Sequence, residues 1–115
     1  MALGDEKCRP PQADEPALSG DEVKELLKEV PDWSKRGKAI EREFKFKDFR
    51  QAMEFVNRVA DTANSQDHHP DIFISYNKVR LTFSTHKIGG LSRNDFIMAA
   101  KVDRLTQAVP AGATA

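Results

Sequence analysis

From Asp48 onward, Phe49, Ala52, Met53, Val56, Val59, Ala60 and Ala63 recur at three- and four-residue steps. That spacing puts them on one stripe of an α-helix, and Asp48 stands where an N-cap belongs. A helix with a single apolar stripe needs a second apolar surface to lie on, and the flanking segments supply one. In Lys38–Lys47, Ile40, Phe44 and Phe46 share one face of a strand, with Glu41, Glu43 and Lys45 on the other. Arg42 interrupts the apolar face, which predicts an edge strand. Ile72–Tyr76 and Val79–Thr85 read as two further strands joined by a tight turn at Asn77–Lys78. Val79, Leu81 and Phe83 face one way; Arg80, Thr82, Ser84 and, if the strand persists, His86 face the other.

Two more helices bracket this unit. Ser19 with Glu22 three residues on is a capping-box pattern, and Val23, Leu26, Leu27 and Val30 form the stripe that Pro31 stops. Trp33 follows in a loop and is expected to pack at the core edge. After Gly89–Gly90, Ser92 and Asp95 open a final helix. Its two apolar seams are Phe96, Ala99, Ala100 and Met98, Val102, Leu105, one for the sheet and one free for a partner chain. The order helix, strand, helix, strand, strand, helix predicts an α+β sandwich, an antiparallel sheet with helices on one face.

A chain of 115 residues is one domain's worth. Residues 1–18 carry Pro10, Pro11, Pro16 and several acids with few large apolar groups, so a flexible tail is expected there. Residues 108–115 read as a second tail, leaving 19–107 as the folding unit. Eighteen basic residues balance eighteen acidic ones, which gives no footprint for nucleic acid. No apolar run is long enough to span a membrane, and MALGDEKCRPPQ lacks the pattern of a secretory leader. A cytoplasmic protein is expected. The single cysteine, Cys8, excludes an intrachain disulfide and any zinc site built on cysteine pairs.

All three histidines, His68, His69 and His86, fall at the ends of the predicted hairpin. The start of one antiparallel strand neighbours the end of the next, so the three should converge at one sheet edge. Three readings fit. The histidines could cap loose backbone groups at a polar edge. They could form a three-histidine metal site, although adjacent residues on extended chain point opposite ways and the loop would have to bend. Or they could perform acid–base catalysis, since histidine exchanges protons near neutrality. Asp67 fits a turn cap, Asp95 a helix cap, and Ser84 and Thr85 strand-end residues.

The segment DHHPDIFISYNKVRLTFSTHKIGGLSRND resembles the signature of the pterin-4a-carbinolamine dehydratase family, known in animals also as a dimerisation cofactor of a homeodomain transcription factor. The matching residues are His68-His69-Pro70, Tyr76, Val79, Ser84-Thr85-His86, Gly90-Leu91 and Asp95, without a gap. The resemblance implies a four-stranded antiparallel sheet under three helices, the fourth strand lying around Trp33–Gly37. It implies dehydration of a 4a-hydroxytetrahydropterin to the quinonoid dihydropterin, which recycles the pterin of aromatic amino acid hydroxylases. No metal or organic cofactor is implied.

Carried over by position, His68, His69 and His86 form the catalytic set, with His69 the main acid–base group. Asp67, His68, His69, Ser84, Thr85, His86, Lys87 and Asp95 are the expected pterin-binding residues. The implied partners are further copies of the chain, as dimer or tetramer, and a hydroxylase or transcription factor; a non-catalytic interaction protein is the alternative. The sequence departs from relatives at Asn64, which stands where many have an acid four before the first histidine, and at Ile72, where an aromatic is frequent. Asn64 can still orient an imidazole by hydrogen bonding, without charge.

Overall fold

In the computed structural model, which describes residues 2–12 and 14–107, the chain alternates as the periodicities require. Helix α1 spans Gly20–Leu27, strands β1 and β2 Ser34–Arg36 and Ala39–Lys45, helix α2 Phe49–Gln66, strands β3 and β4 Asp71–Ser75 and Lys78–Phe83, and helix α3 Arg93–Leu105. The strands form one antiparallel sheet in the order β1-β2-β4-β3. Ile40, Phe44, Val79, Leu81 and Phe83 point to the helix-covered face and are buried, while Glu43, Lys45, Lys78 and Arg80 point away and are exposed. This is the expected α+β sandwich, including the short fourth strand after Trp33.

The local signals explain the element starts. Ser19 and Glu22 close a capping box on α1, and the Asp48 side chain accepts from the Gln51 N–H at 2.9 Å at the head of α2. Trp33 packs against Phe44 and Phe83. Its Nε1–H donates to Asp103 of α3 at 2.8 Å, so the loop pins the last helix to the sheet.

Several expectations need correction. Strand β2 is interior, not an edge: Arg42 meets Asp103 at 2.6 Å and Asp32 at 3.7 Å, so its charge is answered within the protein. The hairpin turn is Tyr76–Asn77, since Ser75 pairs with Lys78, and Tyr76 takes φ 51°. Asn77 anchors that turn to Phe46 through a backbone bond of 2.8 Å and a side-chain bond of 2.9 Å. Helix α1 ends at Leu27, before Pro31, because a tightened turn brings Val30 into the core. On α2 the stripe is rotated from the expected one: Phe55 is fully buried against Phe44 and Phe46, whereas Phe49 is 50% exposed.

The N-terminal segment differs most. Leu3–Asp5 forms a 3₁₀ turn against α3, and Leu3 is buried. The Arg93 guanidinium grips Glu6 with two bonds, at 2.8 and 2.7 Å, and Lys101 donates to the Gly4 carbonyl at 3.0 Å. The expected tail, residues 1–18, holds little apolar surface, yet residues 3–9 of it are docked. They pack instead through polar bonds, mostly to α3 and at Cys8 to Gln66 of α2, so α3 has its own chain beside it as well as the sheet. The expected tail 108–115 lies outside the described residues.

Candidate active site

Helix α2 ends where the chain can turn sharply. Asp67 adopts the left-handed conformation, φ 53° and ψ 41°, which Asp tolerates better than most residues with a Cβ. The turn delivers His68 inward, where its ring lies over Phe83 at 6.1 Å with planes 10° apart. On the other side, β4 stops at Phe83, short of the expected Thr85. Thr85 bridges to Gly90, and His86–Ile88 forms a 3₁₀ turn that ends at Gly89 with φ 69°. His86 therefore heads a loop and does not continue the strand's outward face.

Asp95 joins the two sides. It is the third residue of α3 and fully buried. Its Oδ1 lies 2.6 Å from His68 Nε2; its Oδ2 accepts from the Thr85 hydroxyl and the Ser92 N–H, both at 2.9 Å. Thr85 Oγ1 is also 2.7 Å from Ser92 Oγ. These contacts assign the hydrogens. An ionised carboxylate only accepts, so the proton between the pair sits on Nε2 of His68. Thr85 spends its proton on Asp95, so Ser92 donates to Thr85. Among the described residues no buried side-chain nitrogen or oxygen lacks a partner. A buried carboxylate is tolerated on such terms because every acceptor is answered.

The two remaining histidines are exposed and flank this network in the chain: His69 follows His68, and His86 follows Thr85. His69 Nε2 lies 3.0 Å from Asn64 Oδ1, so Asn64 orients an imidazole as its position allowed. Ser84 is half-buried, and Asp67 and Lys87 are exposed beside them. Thr85 and Asp95, expected to bind substrate, are buried and bonded to one another, and Asp95 backs His68. Sequence reasoning missed Ser92 and Phe83 as members of the site. The Ser92–Asp95 spacing announced their local bond, but no local signal linked either to His68. Among the described residues no three His, Cys, Asp or Glu side chains converge as a metal-donor set, and no helix is long and apolar enough to cross a membrane.

The arrangement supplies two solvent-facing imidazoles and one imidazole held by a buried carboxylate, a set suited to moving protons on a bound molecule. A cleft of about 830 Å³ lies between the start of α3 and the N-terminal segment, with Glu6, Arg9, Gln12, Ser92, Arg93 and Asn94 on its walls.

Known proteins give the same signal over nearly the whole chain. The family model for pterin 4 alpha carbinolamine dehydratase matches residues 16–105. A protein of Nitrosospira multiformis, provisionally named pterin-4-alpha-carbinolamine dehydratase, is 47% identical over 105 residues, 91% of this chain and 93% of its own. A Nitrosomonas eutropha protein of the same provisional name is 47% identical over 104 residues, covering 90% and 92% of the two chains. The crystal structure of a transcriptional coactivator/pterin dehydratase from Brucella melitensis superimposes with a TM-score of 0.74 at 38% identity, covering 77% of this chain and 97% of that one. A pterin dehydratase-like protein described as a RuBisCO assembly factor in the alpha-carboxysome superimposes at 0.56 with 25% identity, covering 64% and 88%. With the family model covering most of the chain and relatives matching nearly end to end, this chain belongs to the pterin 4 alpha carbinolamine dehydratase family.

Proposed function

We propose that the protein dehydrates a 4a-hydroxytetrahydropterin to the quinonoid dihydropterin by histidine acid–base catalysis, recycling the pterin used by aromatic amino acid hydroxylases. The proton on N5 leaves to a base, the C4a–O bond breaks, a C4a=N5 double bond forms, and the hydroxyl departs as water after gaining a proton from an acid. His69 is the base in this reading. Asn64 occupies its Nε2–H, which leaves the Nδ1 lone pair for the substrate. His86, exposed on the opposite loop, protonates the departing hydroxyl. His68 supports the substrate from below, with Asp67, Ser84 and Lys87 at the rim. General acid and base groups of this kind each contribute typically ~10²–10⁴-fold.

The observation that carries the reading is the buried Asp95, whose bonds to His68 and Thr85 tie together the two chain segments that continue into His69 and His86. The test is turnover of transiently generated 4a-hydroxytetrahydropterin by purified wild type and His69→Ala, followed in the ultraviolet. Acceleration by the wild type that falls at least ~10²-fold in the variant, with the melting curve unchanged, is the expected outcome. A folded wild type that gives no acceleration would sink the catalytic role.

A second reading, as an interaction protein, is favoured by exposed apolar side chains: Phe49 at the head of α2, Phe73 on the edge strand β3 and Tyr76 in its turn are 50%, 53% and 64% exposed. On either reading a homo-oligomer, dimer or tetramer, would cover part of this surface. Sedimentation of the wild type beside Phe73→Ser tests it. A monomeric wild type would remove the oligomer from the proposal.

A further inference from the structure

The two ends that meet in the His68–Asp95 pair are also joined from outside. Gln66 is the last residue of α2, two before His68; Asn94 immediately precedes Asp95 in α3. The N-terminal segment bonds both. The Cys8 N–H donates to Gln66 Oε1 at 2.9 Å, and the Cys8 thiol faces the Asn94 carbonyl at 3.8 Å. Arg9 exchanges two bonds with the buried Asn94 side chain: its N–H donates to Oδ1 at 2.9 Å and its carbonyl accepts from Nδ2 at 2.6 Å. The Glu6–Arg93 fork and the Gly4–Lys101 bond hold the rest of the segment along α3.

We propose that residues 3–9 act as a strap that sets the spacing between the C-terminal end of α2 and the N-terminal end of α3, with Gln66 and Asn94 as positioning residues for the His68–Asp95 pair. The physical reason is tolerance. A charge-assisted bond of 2.6 Å weakens steeply with small displacements, and each partner sits at a helix end. Helix ends fray more readily than helix middles. A segment bonded to both ends removes that freedom without touching the substrate. The catalytic consequence rests on the proposed dehydratase reading; the effect on His68 does not.

Cys8 reports the strap's position. It is half-buried, and burial pushes its thiol up to about 11, so a docked strap keeps it unreactive at pH 8. The experiment uses the full chain as wild type, Asn94→Ala, Gln66→Ala and Gln66→Glu. Three quantities are read: iodoacetamide alkylation of Cys8, the ¹⁵N imidazole signals of His68, and dehydration kinetics. Asn94→Ala and Gln66→Ala should speed alkylation roughly ten-fold or more as the thiol returns toward its ordinary range. They should move the His68 signals away from a single Nε2-protonated form. They should also lower kcat about ten-fold with KM nearly unchanged, the scale of a sub-ångström misplacement. Gln66→Glu keeps an acceptor for the Cys8 N–H and should restore all three readouts.

Faster alkylation with unchanged His68 signals would overturn the proposal and leave the strap a packing element. Unchanged alkylation would overturn it too, because these bonds would not be what docks the strap. If Asn94→Ala fails to fold, the two Gln66 variants decide on the same criteria. If the wild type gives no turnover but the His68 signals respond, the dehydratase reading falls and the strap stands.

Discussion

Asp95 shows how much one residue can organise. Its Oδ2 is used locally, on Ser92 and Thr85, and its Oδ1 holds His68. Asp95→Asn tests this division. The amide oxygen can keep Thr85 and Ser92, but the NH₂ then faces Nε2 of His68 and forces the imidazole proton to Nδ1. Turnover should fall by about 10²-fold or more, as wrong-tautomer substitutions do in other histidine enzymes. Steady-state kinetics beside ¹⁵N imidazole spectra check it; full activity with an unchanged His68 tautomer would refute the assignment. His69 depends on a weaker, exposed bond to Asn64. Asn64→Ala should therefore cost less than Asp95→Asn, and a larger loss in the Asn64 variant would show that this exposed bond, not the buried pair, is the one turnover depends on more.

Among the elements, α2 shows why periodicity alone misplaces a stripe. A helix advances about 100° per residue, so Phe49 and Phe55 lie in different sectors. Phe55 packs 4.8 Å from Phe44 and 4.9 Å from Phe46, ring centroid to centroid, while Phe49 is half exposed. Phe55→Ala should cost about 3–5 kcal/mol by urea unfolding. Phe49→Ala should change stability by no more than about 0.5 kcal/mol. Equal costs would mean the stripe is drawn wrongly. Helix α3 is tied down at its far end by Asp103, whose carboxyl is pushed up by burial while Trp33 and Arg42 pull it back. Trp33→Phe keeps an aromatic ring against Phe44 and Phe83 but removes one charged hydrogen bond, and should lower stability by about 1–3 kcal/mol.

At the level of the molecule, the strap and the sandwich are held by different forces and should part at different pH. Arg104 holds the Asp5 carboxyl below its usual value, and Arg93 does the same for Glu6. A carboxylate whose folded pKa lies below its unfolded one stabilises above the unfolded value and loses that contribution as pH falls through the folded one. Strap contacts should therefore weaken below about pH 4, where carboxylates protonate, and also at high salt, since these pairs are largely exposed. The sheet core, built on apolar contacts, should persist. Amide shifts of Gly4 and Cys8 against those of Leu81 and Phe83 between pH 6 and 3 check this. Strap and sheet amides titrating together would show one cooperative unit.

What the sequence by itself determined was whatever has a local cause. Apolar periodicity specified three helices and three of the four strands, and the capping patterns at Ser19, Asp48 and Ser92 placed the helix starts. The resemblance supplied the short strand Ser34–Arg36, which has too few residues to show a period. The meeting of the His68 and Thr85 segments at Asp95 was readable in part, because both lie at the ends of one hairpin. Only the tertiary structure decided what depends on distant partners. Arg42 reads as an edge residue until Asp103, on helix α3, answers its charge. Asp95 reads as a cap until His68 is found against it. The N-terminal residues read as tail because their apolar content is low, and hydrogen bonds to Gln66 and Asn94 leave no trace in hydropathy. Burial patterns repeat along a chain and can be read from it; polar bonds between distant residues do not repeat, and only the folded chain brings them together.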